Sequence, residues 1–514
     1  MILNAAAWFV DRHLDEGRAD SIAIECGDRK LTYRDVQEQV NRAGSALRNE
    51  LGVRPEERVV LLMLDGPEMI AAFFGAIKIG AVPIPLNTRW TAPEYEYVLR
   101  DCGTRVIILS GALHAEATRA IRACPSVRHV ASAGEDVDDV RAVRFEKLLA
   151  DSSPVLDAQP TSRDAPAFWL YSSGTTGRPK GCVHLQHDMG VCAENYARGV
   201  LRINEQDRCF SVAKLFFAYG LGNSMYFPFS VGATTILWPG AVTPAAVFDI
   251  IESYRPTLFF SVPTHYAMLL AHTVPNREFD LSSVRSAVSA GEALPPALFH
   301  RFRERFGVEI LDGIGSTEVL HIFISNQPGR ARPGSSGVPV PGYEARLVDE
   351  DGRPVSQGQL GDLIVRGDST CAFYWNQHEQ TKGTIAGHWI RTGDKYQQDE
   401  DGFFWFAGRS DDMLKVGGIW VSPAEVEHLL LEHPVVQACA VTGRQDQDGL
   451  IKPVAHVVVR ADATPGAALS GELQQFTRQR LAEYKRPRWI EFVDALPVTA
   501  TGKIQRFKLR TGRS

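Results

Sequence analysis

The pattern of hydrophobic and polar residues divides the first 320 residues into short strands that alternate with helices. Apolar runs rich in β-branched residues are typical of buried strands, and the segments between them have apolar residues at helical spacing. The strand candidates are ERVVLLML, AVPIPL, TRVIIL, APAFWL, TTILW, TLFFSV, SVRSAV and VEILDG. The helix candidates are GPEMIAAFFGAIKIG, TAPEYEYVLRDCG, TPAAVFDIIESY and PPALFHRFRERFG. This alternation predicts parallel α/β sheets covered by helices on both faces.

The pattern changes from about residue 330 to residue 408, where glycines and prolines are frequent and the strand candidates are short. YEARLVD, LGDLIVRG and GFFWFAGR predict a small antiparallel, β-barrel-like unit there. GRSDDMLKVGG has charges followed by glycines and no apolar period, so we interpret it as a hinge. The roughly 100 residues beyond it contain the helix patterns SPAEVEHLLLEH and GELQQFTRQRLAEY and several strands, which is enough for a separate small α/β domain.

Length, charge and cysteine content narrow the class of protein. A chain of 514 residues is too long for one core, and its net charge of −6 indicates no surface for nucleic acid or anionic membranes. Eight cysteines without a CxxC pair are typical of free thiols in a reducing cytoplasm. The N-terminal segment is not patterned as a signal peptide, and the longest apolar window is interrupted by Lys78, Pro83 and Pro85. We therefore expect a cytoplasmic protein with no membrane span.

The loop YSSGTTGRPKGCVH, Tyr171 to His184, has the groups of a polyphosphate-binding cradle and follows a strand. Gly174 and Gly177 allow backbone amides to turn toward a ligand, and Lys180 adds a positive charge. It is not the common P-loop, in which Gly, Lys and Ser or Thr are consecutive, because Arg178 and Pro179 precede Lys180. An ordinary surface loop is the alternative interpretation. The hydroxyl donors are Ser172, Ser173, Thr175 and Thr176.

A second motif, DGIGSTE, follows the strand candidate VEIL. It offers close backbone approach at Gly313 and Gly315, a hydroxyl at Thr317 and a carboxylate at Glu318. A carboxylate beside a phosphate site is suited to Mg²⁺, a hard cation that prefers oxygen ligands. Because Ser or Thr before Glu also caps helices, the motif is weak by itself.

Two further motifs add polar groups at loops. WIRTGD ends in Asp394, which could accept hydrogen bonds from a ribose diol or could belong to a plain turn. TATGKIQR places Lys503 after a glycine-bearing turn, where it could project from a mobile loop or form part of a solvated basic tail. The spacing of Cys182, His184, His187 and Cys192 matches no common zinc module, so we expect no metal there.

In this order, YSSGTTGRPKG, GSTE, RTGD, GRSDD and TGKIQR resemble the adenylate-forming superfamily of acyl- and aryl-CoA synthetases, amino-acid adenylation domains and luciferases, over essentially the whole chain. KLFFAYGLGN and DGIGSTEVLHIF are similar to the benzoate-CoA ligase branch, which includes 2-aminobenzoate-CoA ligases. The resemblance implies an N-terminal adenylation domain over residues 1–409, built from two parallel α/β sheet subdomains and a small β-barrel-like subdomain. It also implies a hinge and a mobile C-terminal α/β domain over residues 410–514 that carries Lys503.

The resemblance also implies a reaction in two halves, with ATP, Mg²⁺ and coenzyme A. A carboxylate attacks the α-phosphate of ATP, and a thiol then displaces AMP from the acyl-AMP. Thr175, Thr176 and Lys180 would hold the leaving phosphates, Thr317 would contact the α-phosphate and Glu318 would bind Mg²⁺. Lys503 would bridge the carboxylate and the α-phosphate, Asp411 would be the hinge, and Gly417 and Gly418 would line the pantetheine path. Asp394 and Arg409 would bind the ribose. The adenine slot would be formed by Gly291, Glu292, Ala293, Asp312 and Ile314. The remaining nucleotide-binding residues would be Ser172, Ser173, Gly174, Gly177, Gly313 and Gly315. Many relatives have Tyr where this chain has Ile314.

For the acid, the resemblance places one set of residues around an aromatic ring, and core packing is the alternative for this set. The stretch from Lys214 to Asn223 has no carboxylate to pair with an α-ammonium, and no residue looks like a partner for a para-hydroxyl. We therefore expect benzoate or 2-aminobenzoate as the acid. The expected pocket residues are Phe216, Ala218, Tyr219, Gly291, Gly315, His321 and Ile322.

The acceptor and the partners are less constrained by the sequence. Because 11 residues follow Lys503 in this sequence, we expect no fused carrier-like domain, although transfer to a separate carrier protein is an alternative to transfer to CoA. A luciferase-like oxygenase is compatible with the core motifs, whereas the pocket segment favours an aryl acid. We expect no nucleic-acid partner, and the sequence leaves a homodimer open.

Overall fold

The structure is a computed structural model that describes residues 2–139, 141–173, 178–410, 412–416, 419–447, 450–461, 463–498 and 504–511. Its strands, in chain order, are β1 (Ile22–Cys26), β2 (Arg29–Thr32), β3 (Arg58–Leu62), β4 (Val82–Pro85), β5 (Val106–Ser110), β6 (His129–Ala133), β7 (Ala142–Arg144), β8 (Pro166–Ser173), β9 (Pro179–Leu185), β10 (Arg208–Ser211), β11 (Thr234–Ile236), β12 (Leu258–Ser261), β13 (Ser286–Ser289), β14 (Ile310–Gly315), β15 (Ile322–Ser325), β16 (Val338–Pro339), β17 (Glu344–Val348), β18 (Gly361–Arg366), β19 (Phe373–Tyr374), β20 (Ile385–Ala386), β21 (Trp389–Gln398), β22 (Phe404–Arg409), β23 (Leu414–Val416), β24 (Ile419–Val421), β25 (Val436–Gln445), β26 (Ile451–Val459) and β27 (Trp489–Phe492).

The α-helices are α1 (Arg12–Asp15), α2 (Tyr33–Ser45), α3 (Pro67–Lys78), α4 (Ala92–Cys102), α5 (His114–Arg122), α6 (Phe145–Asp151), α7 (Asp188–Cys192), α8 (Ala218–Leu221), α9 (Phe227–Phe229), α10 (Pro244–Tyr254), α11 (Pro263–Ala271), α12 (Pro296–Phe306), α13 (His378–Thr384), α14 (Pro423–Leu431), α15 (Ala467–Arg478) and α16 (Arg506–Thr511). π turns lie at Ala7–Asp11, Ala46–Glu50, Ala193–Arg198 and Gly222–Tyr226. 3₁₀ turns lie at Gly111–Leu113, Thr317–Val319 and Glu483–Lys485. None of the described helices combines the length and the hydropathy that a membrane crossing needs.

Two large sheets with flanking helices form the first part of the fold. One is a five-stranded parallel sheet in the order β4-β3-β5-β6-β7, and the other has nine strands in the order β16-β15-β14-β13-β12-β10-β11-β1-β2. The prediction of parallel α/β sheets is confirmed for the first sheet and for β1 and β10 to β14 of the second. The edges of the second sheet contain β2, β15 and β16, which were not among the strand candidates and which pair antiparallel. The β1–β2 and β14–β15 connections, residues 27–28 and 316–321, are too short for a parallel crossover, which needs a dozen or more residues.

Close helix packing joins the cores of these sheets. Helices α2 and α3 approach each other at Gly44 and Gly75, where a Cβ added to Gly75 would lie 2.8 Å from the Ala43 Cβ. Strand β3 has a continuous buried run from Val59 to Leu62, as expected for a parallel strand covered on both faces.

Strands β8 and β9 form an antiparallel pair, and β19 joins β9 to complete a three-stranded sheet. This pairing brings residues 373–374 against the strand that carries Lys180. The sequence pattern did not predict β19.

The later segments form smaller sheets. Strands β17, β18, β20, β21 and β22 form an antiparallel sheet, which confirms the prediction of a small antiparallel unit near residues 330 to 408. Beyond it, β25 and β26 pair antiparallel and β27 adds in parallel, with α14 and α15 enclosing a separate apolar cluster. The fold is therefore mixed α/β, with a small α/β unit after the larger sheets.

Candidate active site

The motif expected to bind phosphates lies at the connected end of the β8–β9 pair. Ser172 on β8 is paired across the ladder with Lys180 on β9, so a hydroxyl and an ammonium flank the loop between them. Residues 174–177 lie outside the described residues, so the structure does not test the roles expected for Gly174, Thr175, Thr176 and Gly177. The backbone of Ser173 ends β8.

Thr317 and Glu318 stand in a 3₁₀ turn between β14 and β15. The Val319 amide donates to Ser316 Oγ at 3.3 Å, so the helix cap that was the alternative for this motif is present beside the carboxylate. Leu320 closes the turn with a φ of 73°, in the left-handed region that costs a residue with a Cβ some strain. The backbone amide of Cys371 donates to the Glu318 carbonyl at 2.7 Å, and the Ser369 hydroxyl donates to the Val319 carbonyl at 2.8 Å.

Tyr374 lies between the groups of these two motifs. Its hydroxyl donates to Glu318 Oε1 at 2.7 Å, and the ammonium of Lys180 lies 4.4 Å from the centre of its ring. Burial beside Glu318 raises the pKa of Tyr374 far above its usual range, so the hydroxyl remains a donor. One buried side chain thus contacts both the carboxylate expected to bind a metal ion and the lysine expected to bind phosphates.

A buried histidine supports Thr317 from the other side. His184 on β9 is completely buried, with Nδ1 at 2.8 Å from Asp188 Oδ2 and Nε2 at 2.8 Å from the Thr317 carbonyl oxygen. Asp188 at the start of α7 also accepts from the Leu185 amide at 3.0 Å. The strand after the phosphate loop is therefore bonded to the turn that carries Thr317 and Glu318.

The residues expected around the adenine lie at the ends of β13 and β14. Ser289 of β13 pairs with Asp312 of β14, and the segment from Gly291 to Ala293 follows β13. Gly291 has a φ of 95°, a conformation that favours glycine. Glu292 Oε2 accepts from the Thr264 hydroxyl at 2.9 Å. Burial raises the pKa of Asp312 to about 8, so this carboxyl group is mostly protonated at neutral pH.

The last three residues of β14 approach the neighbouring strand closely. A Cβ added to Gly313 would lie 2.8 Å from the Ile324 carbonyl oxygen, and one added to Gly315 would lie 2.7 Å from that of His321. Ile314, between these glycines, is half-buried.

Asp394 and Arg409, the residues expected at the ribose, are paired across β21 and β22. The guanidinium Nη1 of Arg409 donates to Asp394 Oδ1 at 2.9 Å and to the Thr392 carbonyl at 3.0 Å. The preceding Gly393 has a φ of 76°, which sets the turn of the chain before Asp394. The structure thus brings these two predicted residues into direct contact.

His321 and Tyr219 bring the two halves of the expected acid pocket together. Their ring centres lie 5.5 Å apart, and His321 Nε2 donates toward Asn223 Oδ1 at 3.1 Å and the Tyr219 carbonyl at 3.3 Å. His321 Nδ1 is buried and has no hydrogen-bond partner among the described residues. Burial lowers the pKa of His321 to about 3, so the ring is neutral and Nδ1 is an acceptor. Gly222 allows this approach, because a Cβ there would lie 2.4 Å from His321 Cδ2.

The hydroxyl of Tyr219 is already engaged, at 3.2 Å from the Ser261 carbonyl and 3.1 Å from the Val288 carbonyl. Phe216 and Ala218 lie just before it on the same segment, and Ala218 begins α8. Ile322 begins β15 directly after His321 and is buried.

Several expected residues of the C-terminal unit lie outside the described residues. These are Asp411, Gly417, Gly418 and Lys503. The residues around them form a connected ionic group: Arg506 donates to both carboxylate oxygens of Glu427, at 2.9 and 2.8 Å, and Arg510 lies 2.5 Å from Asp412. This group joins α16, which follows Lys503, to the residue that follows Asp411.

The two histidines near the phosphate loop both lie close to Asp188, His184 Nδ1 at 2.8 Å and His187 Nε2 at 3.4 Å. His184 contacts Asp188 and Thr317, and His187 contacts the carbonyls of Arg163 and Asp368. Within the described ranges, no group of three or more His, Cys, Asp or Glu side chains is arranged to hold a metal ion.

Comparison with known proteins agrees with this geometry. Residues 11–375 match the model of the AMP-binding enzyme family, and residues 425–503 match that of the AMP-binding enzyme C-terminal domain. This chain belongs to the AMP-binding enzyme family. It is 48% identical to the benzoate–CoA ligase of Thauera aromatica, over 99% of this chain and 96% of that protein.

Two solved structures are similar over nearly their full length. The anthranilate CoA ligase AuaEII in complex with anthranoyl-AMP is 45% identical with a TM-score of 0.95, covering 99% of this chain and 97% of that one. A benzoate CoA ligase from Burkholderia xenovorans LB400 is 45% identical with a TM-score of 0.90, covering 99% of this chain and 100% of that one. These similarities confirm the predicted resemblance to the benzoate-CoA ligase branch, which includes 2-aminobenzoate-CoA ligases.

Sequence reasoning missed Tyr374, His184 and Asp188 as parts of this site. No periodicity marks Tyr374, because its strand has only two residues. The (i, i+4) spacing of His184 and Asp188 was no usable signal, because that spacing indicates a pair only within a helix, and His184 lies on β9 while Asp188 begins α7.

Proposed function

We propose that this protein is an AMP-forming aryl-CoA ligase that activates benzoate or 2-aminobenzoate with ATP and transfers the aryl group to coenzyme A. The observation that carries the proposal is the β14–β15 hairpin, which holds Thr317 and Glu318 in its turn and His321 and Ile322 immediately after it. One short segment therefore places the groups expected at the α-phosphate beside those expected around the ring. The full-length similarity to a benzoate–CoA ligase supports the same reaction class.

In the first half-reaction, a carboxylate oxygen attacks the α-phosphorus of ATP, and pyrophosphate leaves with the electrons of the broken bond. Two anions meet in this step, so fixed cations and donors lower its barrier. Lys180 would hold the leaving phosphates and Thr317 would donate to the α-phosphate, while Lys503 would lie between the carboxylate and the α-phosphate. Bound Mg²⁺ would neutralise charge on the phosphates. Glu318 suits this cation because the Tyr374 hydroxyl bonds to Oε1, and Oε2 is a second carboxylate oxygen that can serve as a ligand.

In the second half-reaction, the thiolate of CoA attacks the aryl carbonyl carbon and AMP leaves. Lys503 is not needed in this step, and its segment would obstruct the thiol. We propose that residues 1–409 and 410–514 are two bodies that rotate about Asp411 between the half-reactions, and that Gly417 and Gly418 then line the path of the pantetheine arm. Asp394 and Arg409, with the adenine residues around Asp312, would hold the nucleotide through both steps.

The contacts in the acid pocket favour an ortho-amino group over a para-hydroxyl. The Tyr219 hydroxyl contacts two carbonyl oxygens, whereas the buried Nδ1 of His321 is an acceptor. An amino N–H of 2-aminobenzoate could donate to Nδ1, and one neutral hydrogen bond contributes about 0.5–1.5 kcal/mol, or roughly 2- to 12-fold. Benzoate would leave Nδ1 without that bond but would still fill the apolar part of the pocket.

The test is kcat/KM for thioester formation with benzoate, 2-aminobenzoate, 4-hydroxybenzoate, cinnamate and octanoate, with CoA and with candidate carrier proteins as acceptors. We expect the first two acids to lead, and 2-aminobenzoate to lose up to roughly tenfold relative to benzoate in His321→Phe, which keeps a ring but removes the acceptor. The ratio between the two acids cancels general damage to the variant. A preference for octanoate or cinnamate would disprove the pocket assignment, and thioester formation only on a carrier protein would disprove the acceptor.

A further inference from the structure

We propose that Tyr374 is a positioning residue of the ATP site, which holds the carboxylate of Glu318 for a divalent cation and the ammonium of Lys180 for phosphate. The inference rests on the proposed function, since it deepens the role of the same site. It adds a residue that none of the sequence motifs contains.

Two independent contacts carry the proposal. The Tyr374 hydroxyl donates to Glu318 Oε1 at 2.7 Å, and the Lys180 ammonium lies 4.4 Å from the ring centre, within the range of a cation–π contact. Only 2% of Tyr374 is exposed to solvent, so both contacts are made in a largely dry environment where electrostatic interactions are strong.

The backbone around Tyr374 fixes its side chain at this place. Tyr374 pairs with Cys182 on β9, two residues after Lys180, and its amide donates to the Thr381 hydroxyl at 3.1 Å. Three residues earlier, the Cys371 amide donates to the Glu318 carbonyl at 2.7 Å. The segment that carries Tyr374 is therefore bonded both to the strand of Lys180 and to the turn of Glu318.

The chemical consequence follows from the two ends of the side chain. A hydrogen bond to Oε1 fixes the rotation of the carboxylate and directs Oε2 as a cation ligand. The neutral ring attracts the ammonium without forming an ion pair or accepting its hydrogen bonds, so Lys180 keeps its hydrogen-bond donors for phosphate oxygens. Because Tyr374 contacts both groups, the Glu318 carboxylate is held for a cation and the Lys180 ammonium is held for phosphate, and the two side chains do not pair with each other.

The experiment measures equilibrium binding of ATP to the full-length protein by calorimetry, once with Mg²⁺ and once with EDTA. In Tyr374→Phe, which deletes only the hydroxyl, we expect affinity for Mg·ATP to fall about tenfold, since a hydrogen bond to a charged group is lost. Affinity for metal-free ATP should stay within about twofold, because the ring still holds Lys180. Tyr374→Leu removes the ring as well and should also weaken metal-free binding.

Tyr33→Phe is the matched control, because Tyr33 at the start of α2 is also buried and donates its hydroxyl to the Ala233 carbonyl at 2.7 Å, outside the proposed ATP site. It should leave the ratio of the two affinities unchanged. In a Glu318→Gln background, Tyr374→Phe should change Mg·ATP affinity by less than about twofold, since the bonded charge is already gone.

The proposal is overturned if Tyr374→Phe weakens binding of both forms of ATP equally, if it weakens neither, or if Tyr33→Phe gives the same selective loss. Metal-free ATP binding reports folding within the same sample, so a misfolded variant is recognised by losing both affinities together with its cooperative thermal transition. In that case the decisive comparison is between Glu318→Gln alone and Glu318→Gln combined with Tyr374→Phe. The two proposals can fail separately. If the variants differ from the wild type in Mg·ATP affinity as expected but the wild type makes no aryl-CoA, the proposed function fails while the role of Tyr374 stands.

Discussion

Replacing His184 by alanine should destabilise the protein strongly and impair adenylation in particular. The ring fills a completely buried position, stacked 5.2 Å from Phe168, and bonds to Asp188 and to the Thr317 carbonyl. The variant would leave that carbonyl without its partner, at about 1–3 kcal/mol. It would also leave the buried Asp188 carboxylate with the Leu185 amide and the more distant His187 as its remaining partners. Breaking a buried pair typically costs about 3–5 kcal/mol.

We therefore expect His184→Ala to lower the free energy of unfolding by about 4–8 kcal/mol, which is a large part of the usual total of about 5–15 kcal/mol. Urea denaturation followed by tryptophan fluorescence measures this loss. His184→Gln, which keeps one donor within reach of Thr317, should recover part of it.

The functional readout separates this role from simple packing. Because Thr317 is proposed to contact the α-phosphate, His184→Gln should lower kcat for acid-dependent pyrophosphate exchange and leave KM for the acid nearly unchanged. His265→Ala is the control, since His265 is buried and also contacts a backbone carbonyl, that of Val242, at 2.9 Å. A loss of stability below about 1 kcal/mol in His184→Ala, or the same fall of kcat in His265→Ala, would refute this reasoning.

Three further predictions test the chemistry and the electrostatics. Lys503→Ala should lose pyrophosphate exchange by orders of magnitude yet convert supplied aryl-AMP and CoA; an equal fall in both half-reactions would contradict its role. Asp411→Pro, which fixes one backbone angle, should retain pyrophosphate exchange but accumulate aryl-AMP, and normal CoA turnover would count against a hinge there. Burial raises the pKa of Asp312 to about 8 when folded, so the folded state keeps a proton that the unfolded chain releases, and stability falls as pH rises from about 5 to 8. Asp312→Asn should flatten that slope by up to about 1.4 kcal/mol per pH unit in denaturation curves, and an unchanged slope would show that Asp312 is not the titrating group.

Local patterns predicted the elements that are defined by their own sequence. APAFWL forms the buried part of β8, and GPEMIAAFFGAIKIG contains α3, because burial on two faces and helical spacing are visible within a single segment. GELQQFTRQRLAEY was less accurate: α15 begins at Ala467 and ends at Arg478, since packing of Leu469 extends it backward. Helix boundaries depend on such contacts more than on propensity.

The site was predictable where a motif carries the chemistry and unpredictable where contacts come from distant segments. The motif around Glu318 indicated a carboxylate beside phosphates, and the resemblance placed His321 beside Tyr219, where the structure has it. The hydroxyl of Tyr219 is engaged by two backbone carbonyls, a contact that depends on the ends of β12 and β13 and that no local pattern contains. Tyr374 reaches Glu318 only because a two-residue strand pairs with β9, far away along the chain.

The late position of β19 has a consequence for how this chain is made. Roughly 190 residues separate the end of β9 from β19. At about 5–20 residues per second, a ribosome needs roughly 10–40 s to synthesise them, and throughout that time β9 has an edge that its eventual neighbour does not cover. Uncovered edges can pair with other chains, so crowded polysomes would be the place where this enzyme is most exposed to aggregation. Slowing translation between the codons of residues 185 and 373 should therefore lower the soluble yield more than slowing it after residue 375.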